Sequence, residues 1–520
     1  MLMTTECVDK SLLGGDGPGM RTWVDGRGAS WAPRELPARL SGPASELARR
    51  HDAVSLTRRG PRTVVHGGIS GAVPVHVDLA GQGVRVSTRL DPLVRDRTTI
   101  APDWDGVAHL LGVGAPLGGR TTVRGIRRLQ PWETAEIDPT GEVRLAQQRW
   151  PWLDAHDGRG TLDQLAEALA AAVTEAFDHG PVAPLLSGGW DSRLLTALAV
   201  RARPDEPMLA RTTSSDTGTV LEELVAARVA EHLAIDHRVL MPRRDQFGAD
   251  LTDFAEAVAH QTSFHVWLVP VLRDLNVLRD LKGQDRATVL DGLGGGLVVG
   301  GTFSDRPGPR SLLERRIEVL TPYLRSAGTV LRPEAVAAVA ARSRSAIEEG
   351  AGPLLDHPYG AALTAHLHRT VPGISLAPYG VLSLAGPVAT PFLDDRVVRA
   401  AFALDPQEHR DGQLYRRLLQ RIDPTLATDA TAEQLTPWPR PHPRRITSPE
   451  ATRVIRELVL AEPIRPLVSD ELAAAGPRHW SRLLATRGPQ HLLRGLAVLS
   501  LWFERHRSRL GGIDAGGLLR

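Results

Sequence analysis

Cysteine is almost missing from this chain: Cys7 is the only one in 520 residues. That excludes an intramolecular disulfide framework and a cysteine-rich metal cluster. Lysine is nearly missing too. Only Lys10 and Lys282 occur, and the other 60 of the 62 basic residues are arginine. A catalytic lysine therefore has almost nowhere to sit. Charge of one sign is not in excess, because 60 acidic residues leave a net charge of +2. This balance excludes a polyanion binder, so no nucleic-acid partner is expected. No apolar run reaches the ~18 residues that a spanning helix needs, so no membrane partner is expected either. The opening "MLMTTECVDKSLLGGDGPGM" has acidic residues early and no sustained apolar core. It does not read as a signal peptide, and a cytoplasmic protein is expected.

The texture of the chain changes near residue 155. Residues 1–155 are rich in Gly, Pro, Val and Thr. "GAVPVHVDL" and "GQGVRVSTRLD" alternate apolar and polar residues, as antiparallel strands do. "TTVRGIRRLQPWETAEIDPTGEVRLAQQRW" reads as strand, turn, strand, with the turn at Asp138-Pro139-Thr140-Gly141. "WPWLDAHDGRG" reads as a linker. Residues 156–520 begin with the helical "TLDQLAEALAAAVTEAF", capped by Thr161 or Asp163. Strands and helices then alternate: "PVAPLL", "WDSRLLTALAVRA", "PMLARTT", "VLEELVAARVAEHLA", "HRVL" and "ATVLDGLGGG". Such alternation predicts an α/β fold with a parallel sheet. From about residue 311 the pattern is mostly helical.

The strongest chemical signal is the turn in "PLLSGGWDSRLL", residues 184–195. It falls between an apolar strand and a helix whose Leu194, Leu195, Leu198 and Ala199 share one face. The first N–H groups of a helix have no intrahelical partner, and its dipole favours anions. Gly188 and Gly189 let the backbone come close to a bulky anion. Ser187 and Ser192 can donate hydroxyl hydrogen bonds to phosphate. Asp191, when ionised, cannot, but it makes sense beside phosphates as a Mg²⁺ ligand. No Lys-Ser/Thr follows the glycines, so this is not a Walker loop. An ordinary glycine-rich βα turn is the bland alternative.

"LLSGGWDSRLL" resembles the PP-loop of N-type ATP pyrophosphatases. In chain order, "RTTSSDTGTVLEELVAARVAEHLAIDHRVL" resembles the adenine-side strand and helix of asparagine synthetases. "VLDGLGGGLVVGG" resembles their second glycine turn, and "ATPFLDDRVVRAAFALDP" with "YRRLLQRIDP" their C-terminal segment. Upstream, "RLDPLV", "GRTTVRGIRRLQPWETAEI" and "QRWPW" resemble the second half of their glutaminase domain. The resemblance implies a degenerate N-terminal nucleophile-type domain over 1–155. An α/β PP-loop synthetase domain with a helical C-terminal part would follow over 156–520. It implies ATP and Mg²⁺ as cofactors, with nucleotide contacts at Leu186, Ser187, Gly188, Gly189, Asp191, Ser192, Arg211, Asp291 and Gly292. Arg416 aligns with a lysine of the relatives and would stabilise the leaving pyrophosphate.

The departures narrow this reading. Glutamine-hydrolysing relatives begin Met-Cys, whereas this sequence reads Met1-Leu2-Met3, and Cys7 lacks the family's following Gly-Ile. Two branches of the family fit that loss, the β-lactam synthetases and the lasso peptide cyclases. Both adenylate a carboxylate and let an amine of the same molecule attack it. "SGGWDSR" and "YRRLL" are more similar to the lasso peptide cyclases. The β-lactam synthetases carry a Tyr and a later acidic residue where Leu293 and Gly296 stand here. A cyclase implies a precursor peptide as substrate, with a leader peptidase and a leader-recognition protein as partners. An asparagine synthetase fed by free ammonia and a catalytically dead peptide scaffold are the alternatives. The family places an Asp at the position of Gly296. Asp291, at the end of "ATVL", is expected to take over part of that role, by binding Mg²⁺ or a ribose hydroxyl. A simple cap on the turn is the alternative for Asp291.

Three other stretches carry less. Gly292-x-Gly294-x-x-Leu297 lacks the last glycine of a dinucleotide fingerprint. "HLHRT" at 366–370 is expected to be a polar helix face rather than a metal site. "PWPRPHPRR" reads equally as a grip for phosphate or carboxylate and as a solvated loop. Cys7 is assigned no chemistry, so Cys7→Ser is expected to leave the rate of amide formation unchanged. A large loss in a turnover assay would show that the N-terminal region is misread.

Overall fold

The computed structural model describes residues 20–24, 27–31, 55–59, 62–80, 85–95, 97–138, 142–214, 216–217, 219–282, 287–305, 307–436 and 444–520. Cys7, turn residues 139–141 and residues 437–443 of the Pro/Arg loop lie outside the described residues.

Among the described residues, nine strands form the N-terminal part: β1 (Met20–Val24), β2 (Arg27–Trp31), β3 (Ser55–Arg59), β4 (Arg62–His66), β5 (His76–Asp78), β6 (Arg85–Ser87), β7 (Ile126–Arg128), β8 (Glu133–Ile137) and β9 (Val143–Gln147). They make two sheets, ordered β2-β1-β6-β5-β7 and β3-β4-β8-β9. The expected antiparallel pairing holds throughout except between β1 and β6, which run parallel. Val65, Ala135 and Ile137 of the four-stranded sheet pack against Val77 and Val86 of the other.

The second part is built on β10 (Val182–Pro184), β11 (Leu209–Thr213), β12 (Asp236–Leu240), β13 (Thr288–Leu290) and β14 (Val388–Ala389). Pairings β11·β12, β10·β13 and β13·β14 are all parallel. A parallel bridge between Leu185 and Arg211 joins the two groups. The order is therefore β12-β11-β10-β13-β14, with the first strand in the middle. The chain moves outward one way from β10, then returns to pair β13 on its other side. Open α/β sheets bind ligands at such a reversal, beyond the carboxyl ends of the strands.

Thr161, not Asp163, caps the helix Leu162–Glu175. Its side chain accepts from Gln164 N–H, and Gln164 reaches back to complete a capping box. From Leu312 onward the chain is mostly helical, as expected. Among the described residues, no helix is long and apolar enough to cross a membrane.

Two expectations are corrected. "WPWLDAHDGRG" is no loose linker. Residues Pro151–Asp154 form a 3₁₀ turn, and Trp150 and Trp152 are buried in the main core. Trp150 Nε1 donates to Ile69 O at 2.9 Å, and Trp152 Nε1 donates to Asp395 Oδ1 at 3.0 Å. Buried indole N–H groups need such acceptors, and these two pin the junction to both sides. "HLHRT" is likewise not a polar face. His366 and His368 are buried in a π-helical stretch, His366–Ile374, and bond the carbonyls of Ser70 and Thr364.

No gap separates the two parts at residue 155. Val107 and Leu111 of the N-terminal part share a core with Leu496 and Trp502 near the C-terminus. Trp152→Ala is expected to lower the unfolding free energy by about 3–5 kcal/mol, the usual cost of emptying a fully buried aromatic site. Denaturant unfolding checks this, and a loss below ~1 kcal/mol would make the junction peripheral to the core.

Candidate active site

The site starts from the turn after β10. Leu186 N–H donates to Arg211 O, and Leu186 O accepts from Thr212 Oγ1, so Leu186 is held by the sheet. The chain then turns through Ser187–Gly189 into the helix Trp190–Ala202. Gly189 is its N-cap and no side chain caps this end. Ser192 Oγ accepts from Ser187 N–H at 2.9 Å, and the two serine hydroxyls bond each other at 2.9 Å. Both hydroxyls are therefore gathered at one point.

The turn is braced from behind. Gly188 N–H donates to Glu222 Oε1 at 3.0 Å, and Gly188 O accepts from Ala432 N–H at 2.9 Å. A Cβ at Gly188 would come within 2.5 Å of the Ala432 Cβ, which explains the glycine. Arg193, fully buried, donates to the carbonyls of Leu426, Asp429 and Ala430. It thereby ties the segment carrying Ala432 to the same helix.

The second glycine turn meets the first. Asp291 stands directly after β13, and its Oδ1 accepts from Leu293 N–H at 2.8 Å. That is the cap named above as the alternative for Asp291, and it leaves the other carboxylate oxygen for a ligand. A Cβ at Gly292 would lie 3.0 Å from the Asp191 Cβ, and one at Gly295 would lie 2.7 Å from Asp191 Oδ1. The glycines thus make room for Asp191. Tyr415 donates its hydroxyl to Asp191 Oδ1. Leu393 of "PFLD" packs under Gly294, and Phe392 meets the Tyr415 ring edge-on at 6.2 Å.

Ser187, Asp191, Ser192, Asp291 and Gly292 line one cleft of about 410 Å³. That lies within the ~300–1,000 Å³ of common small-molecule sites. Burial pushes Asp191 up to about 6, and the nearby Asp291 adds to this against the Tyr415 hydrogen bond. Burial likewise pushes Asp291 up to about 6, against its bond from Leu293 N–H. Both face the cleft yet are shielded from bulk water. Two carboxylates with a shared penalty and no cation are what a divalent ion would relieve, so these residues fit Mg²⁺. Among the described residues no group of three or more His, Cys, Asp or Glu could hold a metal, so phosphate and water would complete the shell.

Other expectations land differently. The Arg211 side chain is not in the cleft. It is buried against Asp274 at 2.8 Å and bonds Leu209 O at 3.0 Å. Its strand puts only its backbone near the turn. A side chain at Gly296 would meet Thr302 Oγ1 at 2.9 Å, so Thr302 lies directly beside this position. Arg416 is exposed, with its guanidinium 5.8 Å from the Trp190 ring at the start of the turn's helix. Arg417 is paired with Glu408.

Sequence reasoning missed Tyr415, Thr302, Phe303, His265 and Arg369 as site residues. Tyr415 apart, all of them line the cleft. Gly295 was the one legible hint, since a glycine beside Asp191 leaves space that Tyr415 fills.

A family model described as asparagine synthase matches residues 164–426, which hold both glycine turns, "PFLD" and Arg416. The chain belongs to the asparagine synthase family. Searching curated proteins gave no match. Members of the asparagine synthase family are ATP-dependent ligases that form carbon–nitrogen bonds, and they use ATP typically with Mg²⁺. The match covers the parallel sheet and its cleft, so the synthetase fold is that of this family.

For pyrophosphate release, Arg416→Ala is expected to cost ~10²–10³-fold in kcat, the usual effect of losing one charge-stabilising donor. Arg417→Ala should stay near wild type, because that arginine serves Glu408. The reverse pattern in steady-state assays would move the assignment to Arg417.

Proposed function

We propose that the protein is a lasso peptide cyclase. It would adenylate an Asp or Glu side-chain carboxylate of a precursor peptide and close a macrolactam with the peptide's N-terminal amine. The observation that carries this reading is the meeting of Asp191 and Asp291 beside the Ser187–Ser192 turn, in one cleft.

In the first step a carboxylate oxygen of the substrate attacks the α-phosphorus of ATP. The bond between the α-phosphorus and the bridging oxygen breaks, and pyrophosphate leaves. Asp191 and Asp291 would hold Mg²⁺, which neutralises charge on the departing pyrophosphate when bound. Ser187, Ser192 and the uncapped helix end would bind phosphate oxygens. Arg416 stays charged and can pair bidentately with the leaving group. In the second step the amine attacks the acyl carbon, AMP leaves, and the nitrogen sheds one proton to the medium. An α-amine has a reference pKa of ~7.7–8.0, so a share of it is free at neutral pH. Proximity in the folded peptide supplies the remaining advantage. Position 293, where asparagine synthetases carry a Glu, offers only an apolar side chain, Leu293, to the cleft.

The two packed sheets of residues 20–147 support a degenerate glutaminase-like reading of the N-terminal part. A precursor peptide, a leader peptidase and a leader-recognition protein would be the partners, in the cytoplasm. A β-lactam synthetase-like activity and an ammonia-dependent asparagine synthetase are alternatives. The lack of the family's carboxylate at Gly296 favours the remaining reading, a non-catalytic peptide scaffold.

Pyrophosphate release separates these. Release that depends on a precursor peptide is expected, and Asp191→Ala should abolish it while circular dichroism stays native. Release with aspartate and ammonia alone would replace the cyclase with a synthetase. No release with any substrate would leave the scaffold.

A further inference from the structure

The cleft has a second charged stretch that the nucleotide chemistry does not use. Arg369, on the π-helical stretch His366–Ile374, lines the cleft with its guanidinium 5.4 Å from the Phe303 ring. Arg494 belongs to the helix Arg487–His506 and is only 5% exposed. Its Nη2 lies 2.6 Å from His491 Nδ1, and its Nε has no partner. His491 stacks on Tyr323 at 4.2 Å. His265, which also lines the cleft, feels both Arg369 and Arg494.

Neither Arg369 nor Arg494 has an oxygen acceptor or an ion-pair partner among the described residues. Arg369 is half-buried and Arg494 almost fully buried, and other deeply buried guanidinium groups of the chain are paired. Arg193 has three carbonyls, Arg211 has Asp274, Arg316 has Asp305, and Arg445 has Asp250. Burial lowers the pKa of Arg369 and, with Arg369, Arg494 and Arg487 nearby, keeps His491 neutral. A desolvated cation without a counter-charge is costly and persists where a ligand supplies the charge.

The group is distinct from the metal corner. Asp191 feels Tyr415 and Asp291, and Asp291 feels Leu293 N–H, with no arginine acting on either. The same lining holds the apolar Phe303, Ile374, Ala377 and Pro378 beside the uncharged Thr302, Thr370 and His265. A mixed, mostly uncharged surface with one fixed cation suits a carboxylate on an organic framework better than a polyphosphate.

We propose that Arg369, backed by Arg494, is an anion subsite that holds a carboxylate of the acyl substrate. Its identity as acyl substrate rests on the adenylating reading above. The subsite itself rests on two guanidinium groups that have no oxygen acceptor among the described residues.

The test uses the full chain, with glutarate as the carboxylate probe, pyrophosphate as the phosphate probe and chloride at matched ionic strength. Glutarate is expected to raise the Tm saturably by about 2 °C or more, and chloride should not. Arg369→Met, which keeps the packing on Phe303, should abolish the glutarate response with the ligand-free Tm held or raised. Arg369→Lys should restore part of it, and Asp191→Asn should keep it in full. An unchanged glutarate response in Arg369→Met would overturn the subsite. A lowered ligand-free Tm with that response intact would also overturn it, making Arg369 a strut for Phe303. An Arg369-dependent shift with pyrophosphate instead of glutarate would overturn the carboxylate assignment. An Arg369-dependent glutarate shift without any pyrophosphate release in turnover assays would retain the subsite and remove the adenylating reading.

Discussion

Two carboxylates of like charge, Asp191 and Asp291, share one shielded corner, and the molecule's central architecture serves to hold them there. Each would be more comfortable in water. They are brought together because β10 and β13 are parallel neighbours that end at the same level, so the residues just past both strands meet. The sheet reversal at β10 opens the crevice between the two turns. The glycines at 292 and 295 then let the Asp191 side chain lie against the second turn. Remove the parallel pairing and neither carboxylate would have a reason to be buried.

The turn at that corner is held from within and from behind. Ser187 N–H and Gly189 N–H donate to Ser192 Oγ and Ser187 Oγ. From the rear it is held by Glu222, Ala432 and the carbonyl grip of Arg193. Tyr415 supplies a neutral donor to Asp191, and its own pKa rises well above 10 from burial and the Asp191 charge. It therefore stays protonated and keeps donating at any working pH. The result is a rigid acidic corner whose missing charge must come from outside.

Much of this corner was legible in sequence, and for a local reason. A strand, a glycine turn and a helix lie within about a dozen residues, so the Ser187–Ser192 turn announces itself by period and turn chemistry. Asp291 was legible because it directly follows a short apolar strand. The rest depended on residues far apart in the chain. Tyr415 reaches Asp191 across 224 positions. Thr302 occupies the space beside Gly296 only because the chain folds back after the second turn. Arg211 was misplaced because strand position fixes the backbone, while Asp274, on another element, decides where the side chain goes. "WPWLDAHDGRG" resembled a linker since its Asp, His and Gly are polar, yet its indoles outweigh them once both parts offer acceptors. "HLHRT" failed for the same reason: histidines satisfied by buried carbonyls look polar until the carbonyls are known.

The scarcity of lysine gives the cleft an asymmetry. An amine that is desolvated can shed its proton and end its penalty. A guanidinium cannot do so near neutral pH: burial brings Arg494 down only to about 10, so it stays charged. The acidic corner has the opposite freedom. With Asp191 and Asp291 both near 6, a proton can relieve their repulsion as the pH falls. The acidic corner can thus rest without a ligand, whereas the arginine wall carries its full charge in every state. That makes the wall the more demanding half of the cleft, and it explains why Phe303 and the neutral imidazoles are packed around it. Aromatic faces and unprotonated rings are the neighbours that a permanent cation tolerates while its counter-charge is supplied by whatever the cleft binds.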